Sequence, residues 1–256
     1  MSDWARRFSL DGRTALVTGA SKGLGAKICD VFADAGADIV ATARDMAGLE
    51  DTAATVKGHG RKCTVLAGEL ADVDDVRRIG REALEACGTI DILVNSAGLS
   101  HVESALDTTI EHWDHTFAVN VRAPFLLAQS LAPKMIAQRW GKIINISSQT
   151  GPLAIADHAA YAASKGALNS LTKSLTCEWA RHNIQINAIC PTVVMTPMGV
   201  RVWSDDKKSA PMLAHIPAGR FGEPVEIADL ALYLASPTSG FVNGAMMMIE
   251  GGYSSV

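Results

Sequence analysis

The chain has 256 residues, 48% of them hydrophobic and 20% charged, with a formal net charge of −4. Those figures suit one folded domain with an ample core and exclude a disordered chain. No basic run suggests nucleic acid, and no stretch approaches the roughly 20 apolar residues that span a bilayer.

Short apolar runs alternate with helical patterns along the whole chain. Strands are predicted at Thr14–Thr18, Ala37–Ala43, Lys62–Ala67, Ile90–Val94, Lys142–Ile146, Ile184–Ile189 and Ala245–Ile249. Helices are predicted at Leu24–Ala35, Met46–Lys57, Val73–Cys87, Ile110–Gln138, Tyr161–His182 and Glu226–Ala235, with Pro124 and Pro133 kinking or bounding the fourth. Continuously apolar strands, each followed by a helix, indicate a sheet buried on both faces. The expected architecture is a single α/β domain over 1–256, with a seven-stranded, mainly parallel sheet flanked by helices. The segment 196–217 fits the alternation poorly and reads as a lid over a ligand site.

Thr18-Gly19-Ala20-Ser21-Lys22-Gly23-Leu24-Gly25 joins the first strand to the first helix. The spacing G-x-x-x-G-x-G permits a tight turn and brings backbone N–H groups to a pyrophosphate at a helix N-terminus. It makes the domain doubly wound and Rossmann-type, with Gly19, Ser21, Lys22, Gly23, Leu24 and Gly25 as cofactor candidates. The second strand ends at Ala43-Arg44, where an acidic residue would select a ribose hydroxyl. Arg44, with Lys22, offers cations to a 2′-phosphate instead, so NADP(H) is expected over NAD(H). Asp45 could offset Arg44, and both cations could equally be solvated surface charges.

Tyr161-Ala162-Ala163-Ser164-Lys165 sets a phenol and an ammonium one helical turn apart. A nearby ammonium stabilises a phenolate, which suits the tyrosine to proton exchange with a carbonyl or alcohol oxygen. Ser147 and Ser148 end the fifth strand, at the sheet edge where ligands bind in open α/β folds.

With these elements in order, the chain resembles the short-chain dehydrogenase/reductase family over nearly its full length. The matching residues are the glycine turn, Asn95-Ser96-Ala97-Gly98, Asn120, Ser148, Tyr161 and Lys165. The resemblance implies that Tyr161 is the general acid/base and that Ser148 bonds the substrate oxygen. Lys165 then lowers the tyrosine pKa and holds the nicotinamide ribose, and Asn120 supports a proton relay. It selects Ser148 over the adjacent Ser147. Asn95, Ala97 and Gly98 border the adenosine ribose, with Ser96 standing where the family has a second asparagine. Glu69 and Leu70 stand at the adenine, and Pro191, Val194 and Thr196 lie towards the nicotinamide.

The second half, through Ser148-Gln149, His158, Thr192-Val193-Val194-Met195-Thr196, Met198-Gly199 and Trp203, is similar to diacetyl/L-xylulose reductases. There Gln149, His158 and Trp203 would border the pocket of a small polyhydroxy ketone. Structural readings stand beside these: His158 opening a helix, Trp203 packing the lid, Asn95 and Thr196 as caps. The alternatives weighed are a 3-oxoacyl thioester reductase and a non-catalytic dinucleotide-binding protein. The lid charges Arg201, Lys207 and Lys208, set against Asp205 and Asp206, give a carrier-protein substrate little support.

The five cysteines, Cys29, Cys63, Cys87, Cys177 and Cys190, are widely spaced and suit reduced thiols of a cytoplasmic protein. The N-terminus, Met1-Ser2-Asp3-Trp4, lacks a signal-peptide core. No metal is expected, and His112 and His115 read as a solvated helix face. The family is usually tetrameric. The apolar face of Ala167–Leu175 and the run Met246–Ile249 are compatible with a homotetramer, as they are with one subunit's core.

Overall fold

The computed structural model describes residues 3–256, apart from the side chains of Met198 and Lys208. Met1, Ser2 and those two side chains, quoted above, lie outside the described residues. The elements run α1 (Asp3–Arg6), β1 (Thr14–Thr18), α2 (Gly23–Asp34), β2 (Asp38–Ala43), α3 (Met46–Gly58) and β3 (Cys63–Ala67). They continue with α4 (Val73–Cys87), β4 (Ile92–Asn95), α5 (Ile110–Phe117), α6 (Ala123–Gln138), β5 (Gly141–Ile146) and α7 (Ala159–Trp179). The last are β6 (Ile184–Pro191), α8 (Pro197–Trp203), α9 (Asp206–Leu213), α10 (Pro224–Ala235) and β7 (Met246–Ile249).

The seven strands form one sheet in the order β3-β2-β1-β4-β5-β6-β7, and every pairing is parallel. The sheet is therefore wholly rather than mainly parallel. Alternate strand residues face opposite layers. Ala15, Val17, Ile39 and Ala41 join a core with Ile28 and Phe32 of α2 and Ile227 and Ala231 of α10. Leu16, Val40 and Leu93 join a second core with Val76 and Ile79 of α4 and Leu127 and Leu131 of α6. The order reverses between β1 and β4, which opens a crevice at the carboxyl ends of those strands.

Three departures from the sequence pattern matter. The helical stretch from Ile110 is not broken at Pro133, which lies inside α6. It breaks at a π-helical turn, Ala118–Arg122, followed by Pro124 in the first turn of α6. The segment predicted as an irregular lid contains α8 and α9, begun by side-chain caps from Thr196 and Asp205. Of the Ala167–Leu175 face, compatible with either an interface or the subunit's own core, Leu168 and Leu175 are buried in the subunit itself, and β7 is half-buried at the sheet edge.

Candidate active site

The glycine turn is shaped by steric limits. Gly19 has φ +68°, and a Cβ there would stand 2.9 Å from the Ala97 Cα. A Cβ on Gly25 would meet the Gly19 carbonyl oxygen at 2.3 Å. Only glycine lets the turn press against β4 and the start of α2 at once. The Thr18 hydroxyl accepts the backbone N–H groups of Ser96 and Ala97, each at 3.0 Å, which ties the turn to the Asn95–Gly98 segment. Lys22 precedes α2 in extended conformation and gives it no side-chain cap. The first N–H groups of α2 are thus free of a side-chain cap, as an anion site requires. Gly23 faces Thr196, whose Cβ lies 3.6 Å from where a Gly23 Cβ would stand.

At the end of β2, Arg44 is exposed and pairs with Glu69 at 3.2 Å. Asp45, the alternative counter-charge to Arg44, caps α3 by accepting the Gly48 N–H. Glu69 also accepts the Ala71 N–H at 3.0 Å, and Leu70 is buried in the second core. Asn95 donates to Asn145 at 2.8 Å, across β4 and β5.

Four residues converge at the carboxyl ends of β4 and β5. Asn120 sits within the π turn, fully buried. Its Oδ1 accepts the Leu99 N–H at 2.8 Å, and its Nδ2 donates to the Leu99 carbonyl and to Ser164. Lys165 is buried and donates from Nζ to the Ile146 carbonyl at 2.8 Å, with Nζ 5.5 Å from the Tyr161 ring centroid. A Cβ on Gly98 would lie 3.6 Å from that Nζ and 3.9 Å from Asn120 Oδ1. Ser148 Oγ accepts the Thr150 N–H at 3.2 Å and the Thr150 hydroxyl at 3.0 Å and acts on the Tyr161 phenol, whereas Ser147 turns to the Lys165 carbonyl at 3.4 Å.

Burial governs the electrostatics of this group. It raises the Tyr161 phenol above its ordinary value, opposed by the Ser148 hydrogen bond. It pushes Lys165 down to about 8. The resemblance implied a lowered phenol; the protein's own groups favour the neutral forms of both partners.

The expected pocket residues surround Tyr161 unevenly. Gln149 is buried and its Oε1 has no partner, while its N–H donates to the Pro191 carbonyl at 2.9 Å. His158 holds its ring edge-on to Tyr161 at 6.2 Å, with Nδ1 2.7 Å from the Ala156 carbonyl. Trp203 packs on Phe221 at 5.7 Å. Val194 lies beside Gly222, and Thr196 caps α8 by accepting the Gly199 N–H at 3.1 Å.

Sequence reasoning missed Gly151 and Ser164. A Cβ on Gly151 would stand 2.5 Å from Asn169 Nδ2 and 3.3 Å from the Lys165 carbonyl carbon and oxygen, so glycine lets the Ser148 turn close onto α7. Ser164 links Asn120 to the Tyr161 carbonyl. Its place between Tyr161 and Lys165 was the available signal.

A family model described as Enoyl-(Acyl carrier protein) reductase matches residues 19–254. The chain is 40% identical over 247 residues to L-xylulose reductase of Mus musculus, covering 96% of this chain and 98% of that protein. The chain belongs to the short-chain dehydrogenase/reductase family. This dehydrogenase/reductase is also 37% identical to NAD-dependent glycerol dehydrogenase of Listeria innocua serovar 6a, over 96% of both. A gluconate 5-dehydrogenase from Burkholderia cenocepacia J2315, solved in complex with NADP and tartrate, matches with a TM-score of 0.93 and 36% identity over 99% of each chain. The protein is an oxidoreductase that acts on CH–OH groups with a nicotinamide dinucleotide. Among the described residues no helix is long and apolar enough to cross a membrane.

Proposed function

We propose that this enzyme interconverts a small polyhydroxy ketone and its secondary alcohol, with Tyr161 as general acid/base and NADP(H) preferred. The observation that carries the substrate class is Gln149. A buried amide oxygen without a donor costs about 1–3 kcal/mol, and a substrate hydroxyl would satisfy it. His158 adds a second acceptor: its Nδ1–H donates a hydrogen bond to the Ala156 carbonyl, which leaves Nε2 of the neutral ring with a lone pair. A polyol supplies donors to both; the acyl chain of a thioester supplies none. Relatives named for glycerol, L-xylulose and gluconate span this chemistry.

The residues present fit the dinucleotide. The glycine cradle and the uncapped α2 N-terminus suit its pyrophosphate, Lys22 and Arg44 a 2′-phosphate, and Lys165 the nicotinamide ribose. Asn95, Ala97 and Gly98 would border the adenosine ribose, Glu69 and Leu70 the adenine, and Pro191, Val194 and Thr196 the nicotinamide. When bound, the dinucleotide supplies or accepts the hydride. The chain's own groups manage the proton. Ser148 and Tyr161 hold the substrate oxygen, and the Tyr161 proton passes to it in reduction and returns in oxidation. The Lys165 ammonium stabilises the phenolate, and Asn120 fixes the Leu99 backbone beside it. The helices α8 and α9 close over the pocket as a lid, with Trp203 on its inner side.

Exposed Trp113 and Phe125, on α5 and α6, and the half-buried edge strand β7 support a homotetramer. Cysteine usage supports the cytoplasm: all five are free thiols. The test is a panel of L-xylulose, glycerol, gluconate, a diketone and an acetoacetyl thioester, run with both dinucleotides. Turnover confined to the polyhydroxy substrates, and faster with the phosphorylated dinucleotide, is expected. Preference for the thioester overturns the substrate class, and equal efficiency with NAD(H) overturns the cofactor assignment.

A further inference from the structure

Three imidazoles that looked unrelated in sequence meet beside the site. The rings of His101, after β4, and His112, on α5, lie parallel, with centroids 3.9 Å apart and planes 3° apart. His115, one turn further along α5, is 5.9 Å from His101. His112 Nδ1 stands 2.9 and 3.1 Å from the two carboxylate oxygens of Glu103. A carboxylate only accepts, so this nitrogen carries the proton. His101 Nε2 is buried without a partner. Among the described residues no group of three or more His, Cys, Asp or Glu has the geometry to hold a metal.

Glu103 connects the cluster to the pocket. Its backbone N–H donates to the Asp157 carbonyl at 3.0 Å, and it forms an isolated parallel bridge with His158. Asp157 has φ +60°, a left-handed conformation that a non-glycine residue keeps only when its surroundings hold it. That conformation immediately precedes His158, whose ring faces Tyr161. At the other end, His112 is fixed on α5: its N–H donates to the Thr109 cap at 3.1 Å, and its carbonyl accepts from Thr116 at 2.7 Å.

We propose that Glu103, His112 and His101 are positioning residues that brace the Asp157–His158 segment against α5 and thereby set affinity for the polyhydroxy substrate. The proposal rests on the reading of His158 as a pocket residue. The carboxylate links the segment to a helix, the imidazole gives that link its direction, and the stacked His101 ring keeps the imidazole in plane. Only the His101 face is used, so another aromatic ring serves as well.

The experiment uses whichever of L-xylulose, glycerol and gluconate the wild-type enzyme turns over fastest. Glu103→Ala should raise KM for that substrate about tenfold, the size of one lost hydrogen bond to a charged group. Its kcat and its KM for the dinucleotide should stay within about twofold. Glu103→Gln, which still accepts from His112, should restore KM. His101→Phe should match wild type where His101→Ala does not. In a His158→Gln background Glu103→Ala should add less than about twofold, because coupled residues are not additive. Equal effects of Glu103→Ala in the two backgrounds, or none while His158→Gln raises KM, overturn the brace and leave the His158 assignment standing. An unchanged KM in His158→Gln overturns that assignment and the brace with it. Asp157→Gly, which relaxes the left-handed residue and keeps the fold, gives the same comparison if Glu103→Ala does not fold.

Discussion

Among the described residues two lysines are buried in this enzyme, at opposite ends of the strands of one sheet. Lys165 faces the carboxyl ends of the strands and is 3% exposed; Lys142, near the start of β5, is 1% exposed. Burial pushes each down to about 8 from an ordinary 10.5. Their surroundings differ. Lys165 donates to the Ile146 carbonyl, with Tyr161 and Asn120 close by. Lys142 donates to the Ser239 hydroxyl at 2.9 Å, in a part of the molecule with no part in the proposed chemistry. In the proposed mechanism the same physical penalty is thus put to use beside Tyr161, and it has no such use at Lys142. A buried charge marks a functional candidate only when a cleft and a partner accompany it.

The largest expected effect sharpens that contrast. Lys165→Met should lower turnover at least about a hundredfold, within the range of lost general acid/base assistance. Reduction by the wild-type enzyme should slow as pH rises through about 8, where Lys165 loses its proton. A pH profile flat across that point would remove the ammonium from the mechanism. Next in size is Gly151→Ala. The Cβ it adds would collide with Asn169 Nδ2 at 2.5 Å, lifting the Ser148 turn from α7. A loss of about tenfold in kcat is expected for a misplacement of this kind. Unchanged kinetics would mean that Asn169 yields and the turn stays put.

Lys142→Met should leave turnover unchanged and raise stability at pH 7. The interval from 10.5 to about 8 corresponds to about 3 kcal/mol, as an order of magnitude. The sign follows from proton counting. Between pH 8 and 10.5 the unfolded chain holds the proton more tightly than the folded one, so wild-type stability rises with pH there. Below about 8 both states are protonated and the penalty is complete. The variant's advantage, roughly 6–12 °C in Tm at about 2–4 °C per kcal/mol, should therefore be full at pH 7 and vanish towards pH 10.5. A lower Tm at pH 7 would show that the Ser239 hydrogen bond outweighs the buried charge.

These positions also show what a sequence discloses. The strands and the Tyr161–Lys165 pair were legible because their signals are local: apolar runs of fixed length, and two groups one helical turn apart. The glycine turn was legible because its positive φ and close approaches admit no other residue. The π turn at Ala118–Arg122 was not, because proline signals nearby suggested another breakpoint, and Asn120 secures the turn by bonding Leu99. Nor were the stacking of His101 on His112 and the pairing of Arg44 with Glu69, contacts between segments separated in the chain. Local periodicity carries no record of such meetings.

The two ends of the strands differ in their ion pairs as well, and here the expected effect is smallest. At the amino end Asp91 is buried, accepts the Thr14 N–H at 3.0 Å and pairs with Arg13, whose guanidinium lies 3.8 Å over Trp140. That pair is locked by packing and backbone. At the carboxyl end the Arg44 and Glu69 side chains are 70% and 38% exposed, a pair of the kind contributing at most about 1 kcal/mol. A pair this weak can open to a ligand. Glu69 then competes with a 2′-phosphate for the same guanidinium, and its removal should favour the phosphate. Glu69→Gln is therefore expected to raise the ratio of kcat/KM for NADP over NAD by about threefold, well under the tenfold that 1.4 kcal/mol would give, with Tm unchanged. A ratio that falls instead would mean that Glu69 orients Arg44 towards the phosphate, and the carboxyl-end pair would then be as fixed as the one at Asp91.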